Sequence, residues 1–174
     1  MSIQPIALLG NPVLRVNCSR VKDFSGSGLQ SLIEDLRDTL YEFRSTHGFG
    51  RGISAPQIGD SRRVIFIDVG TPFPLVNPVI TRKSRTMMTL WDDCFSFPDL
   101  VVKVKRHLSV ELRYLDGEGK RHALQARGAL SELLQHEVDH LNGILALDRA
   151  VDSKHIIYKS ELDRIKGGRI AGGM

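Results

Sequence analysis

The run from Ala129 to Gly143 constrains this chain more than any other stretch. Apolar residues at Leu130, Leu134, Val138, Leu141 and Leu145 recur at spacings of three and four, the repeat of one amphipathic helix. His136 and His140 stand four apart, so on such a helix their imidazoles lie one above the other on a single face. That spacing suits two nitrogen ligands on one metal ion, with Glu137 beside them to handle a proton. The same spacing also describes two half-buried histidines on an ordinary helix, and this stretch alone does not separate the two.

A chain of 174 residues, 41% hydrophobic and 25% charged, is expected to form one soluble globular domain across residues 1–174. No apolar run approaches the ~20 residues needed to cross a bilayer, so no membrane partner is expected. The opening Met1-Ser2-Ile3-Gln4-Pro5 has no basic leader, which points to a cytoplasmic location. There the two cysteines, Cys18 and Cys94, are expected to stay reduced. The net charge of +4 is scattered apart from Lys103–His107 and the tail between Lys154 and Arg169. No recognised reader motif accompanies it, so no specific nucleic-acid partner is expected, and a weak attraction to ribosomes is the most this charge implies.

Apolar residues at Leu29, Leu32, Ile33, Leu36, Leu40 and Phe43 predict a long helix stopped near Gly48. The stretch Gly48–Gly59 is dense in glycine, which lets backbone approach a ligand or another segment closely, and Pro56 places it at a sheet edge. Strands are predicted over 63–69 and 75–80, with Pro78 marking an edge or bulge. Two more follow between Leu100 and Leu115, and a return strand over 121–126 comes after the turn Asp116–Gly119. The stretch 153–165, with Ile156, Ile157 and Leu162, reads as a basic terminal helix, and Gly167, Gly168, Gly172 and Gly173 as a frayed end. The fold class is α+β: antiparallel strands around a central metal-binding helix, with helices near both ends.

Three stretches then stand together: Gly50-Arg51-Gly52-Ile53-Ser54-Ala55-Pro56-Gln57, Asp92-Asp93-Cys94-Phe95-Ser96 and His136-Glu137-Val138-Asp139-His140. In order and content they resemble the three motifs of peptide deformylases. The resemblance implies that Cys94, His136 and His140 bind one divalent metal, Fe2+ in the cell, with Zn2+, Ni2+ or Co2+ as substitutes. One thiolate and two imidazoles leave a fourth position open, as catalytic sites do. The resemblance further implies that Glu137 is the general base, and that the Gln57 side-chain amide and the Phe95 backbone N–H receive the oxyanion. Asp92, Arg106 and Asp139 would hold the ligands in place. Gly50, Arg51, Gly52, Glu132 and Leu133 would line the substrate pocket. The implied activity is removal of formyl from the N-terminal formylmethionine of new polypeptides.

This chain departs from the family pattern at several points. Asp92 and Asp93 replace the usual Glu and Gly, which puts a shorter side chain and an extra negative charge beside Cys94. Val101 stands where some relatives carry an arginine near the bound peptide. Arg51 and Glu132 put opposite charges where the family has apolar pocket walls. An unpaired buried charge would be costly, so the two are expected to pair or to read a polar substrate group. Two other readings follow: the same hydrolysis on a different N-formyl or N-acyl substrate, or a non-catalytic paralogue that binds a ribosome or another partner. The presence of all three ligands, Glu137 and Gln57 argues against the last.

Overall fold

The computed structural model describes residues 3–165; the glycines expected to fray at the C-terminus lie outside them. The expected first helix is α1, Ser27–His47. It ends where Gly48 turns left-handed (φ 76°) and its N–H bonds to the Arg44 carbonyl. Its apolar stripe, Leu29, Leu32, Leu36, Leu40 and Phe43, buries against Ile53, Phe66 and Val76.

Those partners lie on a five-stranded antiparallel sheet whose strands are β1 (Gly52–Ser54), β2 (Val64–Asp68), β3 (Pro72–Lys83), β6 (Ser109–Leu115) and β7 (Arg121–Arg127), in the order β1-β2-β3-β6-β7. The edge position read from Pro56 is borne out: β1 is the edge strand, and Pro56 sits in a 3-10 turn just after it. A second sheet holds β4 (Met87–Asp93), β5 (Leu100–His107) and β8 (Ile156–Tyr158), in the order β4-β5-β8. The helix α2, Ala129–Leu141, packs on strands of both sheets. It ends at Leu141, four residues short of the last member of the apolar repeat. Leu145 lies beyond it and packs instead with Leu14, Phe97 and Val102.

The terminal helix expected over 153–165 is not what forms. Asp152 caps a short turn, Ile156–Tyr158 add a strand to β5, and a 3-10 turn spans Lys159–Arg164. The edge of β5 offers free backbone partners that a helix here would leave open, and two successive isoleucines suit a strand. Tertiary pairing therefore overrides the local pattern.

The Pro78 signal resolves to a bulge. The register of β3 on β6 shifts between Val76 and Val79, and Asn77 within it takes φ 52°. Its buried amide accepts from Val21 N (2.8 Å) and donates to Val21 O (2.9 Å), tying the N-terminal segment to the sheet. Asn77→Ala loses both bonds and puts Cβ chemistry less suited to positive φ there, at a cost of about 2–4 kcal/mol in denaturant unfolding. Cys18 is buried beside Ile65 and Leu141, and burial pushes its thiol up to about 11 against the pull of Arg63. Native protein at pH 8 will leave Cys18 unlabelled by iodoacetamide, and unfolded protein will label it.

Candidate metal centre

Every residue of α2 from Ser131 to Leu141 is buried, including seven polar or charged side chains. A helix this polar can lie inside only if those groups find partners. On one face they bond to the end of β5. Gln135 accepts from His107 N (3.0 Å) and donates to His107 O (2.9 Å), and Ser131 Oγ donates to the same carbonyl (2.9 Å).

On another face the two histidines meet Cys94, which lies in the turn just after β4. Cys94 Sγ is 3.2 Å from His140 Nε2, which is 3.1 Å from His136 Nε2. Burial, reinforced by the neighbouring His136, holds the His140 imidazole well below its ordinary range, so it is neutral. His136 Nδ1 lies 2.7 Å from Asp92 Oδ1, close but poorly aligned, which favours a proton on Nδ1 and a lone pair on Nε2. Burial works against the charged form of His136, yet Asp92 overrides it and raises the imidazole well above its ordinary range. Three lone-pair donors thus converge where a cation can replace a proton. With metal–nitrogen bonds of about 2.0–2.1 Å, tetrahedral ligand atoms stand about 3.3 Å apart, so the observed spacing fits such an ion with little movement.

A chain of charges, buried except for its outermost member Arg149, fixes this cluster from behind. Asp92 Oδ2 accepts from Arg106 Nη2 at 3.0 Å, Arg106 Nη1 donates to Asp139 Oδ2, and Asp139 accepts from Arg149 Nη2 at 2.9 Å. Asp92 is itself held at about 2, burial opposing and His136 and Arg106 prevailing.

The motif-one glycines act by close approach. A Cβ on Gly50 would stand 2.5 Å from the Phe95 ring, and one on Gly52 3.0 Å from Glu137 Oε1 and 3.1 Å from Leu133. Backbone therefore lies directly against the Phe95 ring and against Glu137. Gln57 follows in the 3-10 turn. Its Oε1 accepts from Ser54 N (2.9 Å) and Ser54 Oγ (3.0 Å), which turns its NH2 toward Cys94 Sγ, 3.6 Å away. The Phe95 N–H meets no protein acceptor among the described residues. Glu137 Oε2 is buried without a partner, and burial pushes this carboxyl up to about 7 despite the pull of His136. Gly50, Arg51, Gly52, Gln57, Cys94, Phe95, Glu132, Leu133, His136 and Glu137 all line one cavity of about 30 Å³, room for a water or two. An open groove of about 820 Å³ adjoins it and shares Phe49, Gly50 and Arg51.

Comparison with known proteins decides what this cluster belongs to. The model of the family described as polypeptide deformylase matches residues 3–155. The chain belongs to the polypeptide deformylase family. A peptide deformylase of Desulfitobacterium hafniense is 39% identical over 153 residues, covering 86% of this chain and 96% of that one. That of Agrobacterium fabrum is 36% identical over 85% of this chain and 87% of that one. The crystal structure of peptide deformylase from Thermotoga maritima superposes with a TM-score of 0.81 at 31% identity, covering 87% of this chain and all of that one. A deformylase of Synechococcus elongatus in complex with actinonin gives 0.81 at 33% identity, covering 96% of this chain and 87% of that one.

The deformylase family is metal-dependent, and the departures of this member from its pattern are compensated. Asp92, although one methylene shorter than Glu, still reaches both His136 and Arg106. Asp93 needs no left-handed backbone: among the described residues Asn77 is the one non-glycine with positive φ. Its charge meets Lys159 Nζ at 3.3 Å. Burial raises the Asp93 carboxyl, and Lys159 opposes this. Arg51 and Glu132 do pair, Nη2 to Oε2 at 2.6 Å, and Arg51 Nη1 also donates to the Ala129 carbonyl. Val101 is wholly buried against Trp91 and Leu162, away from the groove. Within the basic run Lys103–His107, Arg106 points inward to the carboxylates, whereas Lys105 is exposed.

Sequence reasoning missed Ser54, Arg149 and Lys159, which act through others. Of these, Ser54 alone sits in a motif, and Lys159 lies in the segment misread as a helix. Lys159 also stands 3.4 Å from the centre of the Phe49 ring. In metal-free protein, Lys159→Met will lower stability, and the loss will shrink in an Asp93→Asn background, a coupling of about 0.5–3 kcal/mol by denaturant unfolding. Equal losses in both backgrounds would assign the worth of Lys159 to the Phe49 ring instead.

Proposed function

We propose that this chain is an active metal-dependent deformylase that hydrolyses the formyl amide of N-terminal formylmethionine on new polypeptides and releases formate. The observation that carries this reading is the convergence of Cys94 Sγ, His136 Nε2 and His140 Nε2 at the wall of the small cavity that Cys94, His136 and Glu137, with its unpartnered Oε2, line. These three residues would hold the ion, Fe2+ in the cell, with Zn2+, Ni2+ or Co2+ accepted in its place. When bound, it supplies Lewis acidity and makes water nucleophilic near neutral pH. Glu137 takes the proton from the attacking water and returns it to the departing amine. The Gln57 NH2, held by Ser54, and the Phe95 N–H donate to the oxygen that becomes negative. The small cavity takes the formyl group, and the adjoining groove takes the peptide. An activity on nascent chains would be carried out in the cytoplasm, with at most a weak ribosome contact. No helix among the described residues is long and apolar enough to cross a membrane.

One observation favours a narrower substrate range. The Arg51–Glu132 pair puts charge on the cavity wall, where methionine gains least and a polar first side chain gains most. Formate release by the anaerobically purified, iron-loaded protein will distinguish the two. Turnover of formyl-Met peptides supports the main reading; turnover only of formyl compounds with a polar first residue transfers it to another N-formyl substrate. Chelation will abolish turnover, and added metal will restore it. Gln57→Ala will lower kcat about 10²–10³-fold and Glu137→Ala about 10²–10⁴-fold with metal still bound. Cys94→Ser will lose stoichiometric metal; retention at unchanged affinity would remove Cys94 from the ligand set.

A further inference from the structure

A second cavity, of about 390 Å³, opens on a different face of α2 from the metal pocket. From the helix, Gln135, Val138 and Asp139 reach this cavity, whereas Glu132, Leu133, His136 and Glu137 reach the other. Its remaining walls come from β3, the start of β4 and the end of β5, where the two sheets meet, together with Arg63, Asn142 and Arg149. The size lies within the range typical of small-molecule sites, about 300–1,000 Å³.

The charge of its lining is one-sided. Arg63, Lys83, Lys105, Arg106 and Arg149 all face it, and the one carboxylate is Asp139. Asp139 is already taken by Arg106 and Arg149. The guanidinium of Arg63 is met by uncharged acceptors alone, the Leu141 carbonyl at 3.1 Å, Asn142 Oδ1 at 2.8 Å and the Pro78 carbonyl. Lys83 and Lys105 form no ion pair among the described residues. Three cations therefore share a concave surface with no anion to offset them, a shape that concentrates positive potential. The rim is apolar: Val79 and Met87 are 46% and 43% exposed, and Pro78, Ile80 and Val138 lie within.

From this juxtaposition we propose that the cavity is a binding site for a small phosphate-bearing molecule with a planar or apolar portion, of mononucleotide size. Lys83, Lys105 and Arg63 take the phosphate, which matches ammonium and guanidinium donors, and the Val79–Met87 rim covers the rest. The site lies apart from substrate, so it needs nothing from the hydrolytic reading. It touches that machinery through Arg106, Asp139 and Arg149, links of the charge chain ending at His136.

The test is calorimetric titration of the full-length, metal-loaded protein with adenosine monophosphate, inorganic pyrophosphate and a short single-stranded RNA. The proposal expects saturable binding of adenosine monophosphate, weaker binding of pyrophosphate, which lacks the ring, and no tighter binding of RNA. Replacing both exposed lysines, Lys83→Gln with Lys105→Gln, is expected to weaken the nucleotide at least about tenfold while formate release stays at its original rate. No saturable heat with adenosine monophosphate at millimolar concentration overturns the proposal. So does unchanged affinity in the double variant, and so does RNA binding tighter than the mononucleotide, which would make this face a polynucleotide surface.

Discussion

The structure depends on how a polar helix is kept inside. Burying His136, Glu137, Asp139 and Glu132 together would be prohibitive if each stood alone, because an unpaired buried charge costs several kcal/mol. The answer is alternation. Arg106 sits between Asp92 and Asp139, Arg149 closes the outer end, and Arg51 meets Glu132 at the other side. Each link is satisfied only while both sheets hold their places around α2. Removing Arg106 would take a partner from both Asp92 and Asp139, and removing Arg51 would take from Glu132 its ion-pair partner, so the scaffold and the site share the same set of interactions.

The Glu137 carboxylate escapes this pairing, and its position matters. Its Oε2 is buried without a partner, and Glu137 lines the small cavity beside His136. A buried carboxylate oxygen left open at this point serves chemistry rather than stability. Gln57 shows the same division within one side chain. Its oxygen is consumed by Ser54, and its nitrogen is kept facing Cys94.

Much of this was readable from the sequence, for physical reasons that differ by element. Period and spacing were enough for α1 and α2, since apolar stripes at helical spacing have few other uses. The glycines at 50 and 52 announced close approach, and the neighbours they approach are Phe95 and Glu137. Opposite charges at Arg51 and Glu132 implied a pair because neither could be buried alone. What stayed hidden involved partners far apart in sequence. Ile156 and Ile157 follow the free edge of β5 rather than their own propensity. Arg149 and Lys159 carry no local mark of the carboxylates they serve, and Asn77 differs from any loop asparagine only through its contact with Val21.

Cys94 comes from the end of one sheet, and His140 from a helix 46 residues later, after β5, β6 and β7. An ion shared between them is therefore a cross-link that closes a long loop of chain. Such closures remove freedom from the unfolded state more than they add contacts to the folded one, by an amount that grows with the logarithm of loop length. The metal would act on this protein as a reversible counterpart of a disulfide, one that a reducing environment cannot cleave. Loss of the ion would then loosen the join between sheet and helix as well as stop the reaction, linking turnover of the protein to metal supply.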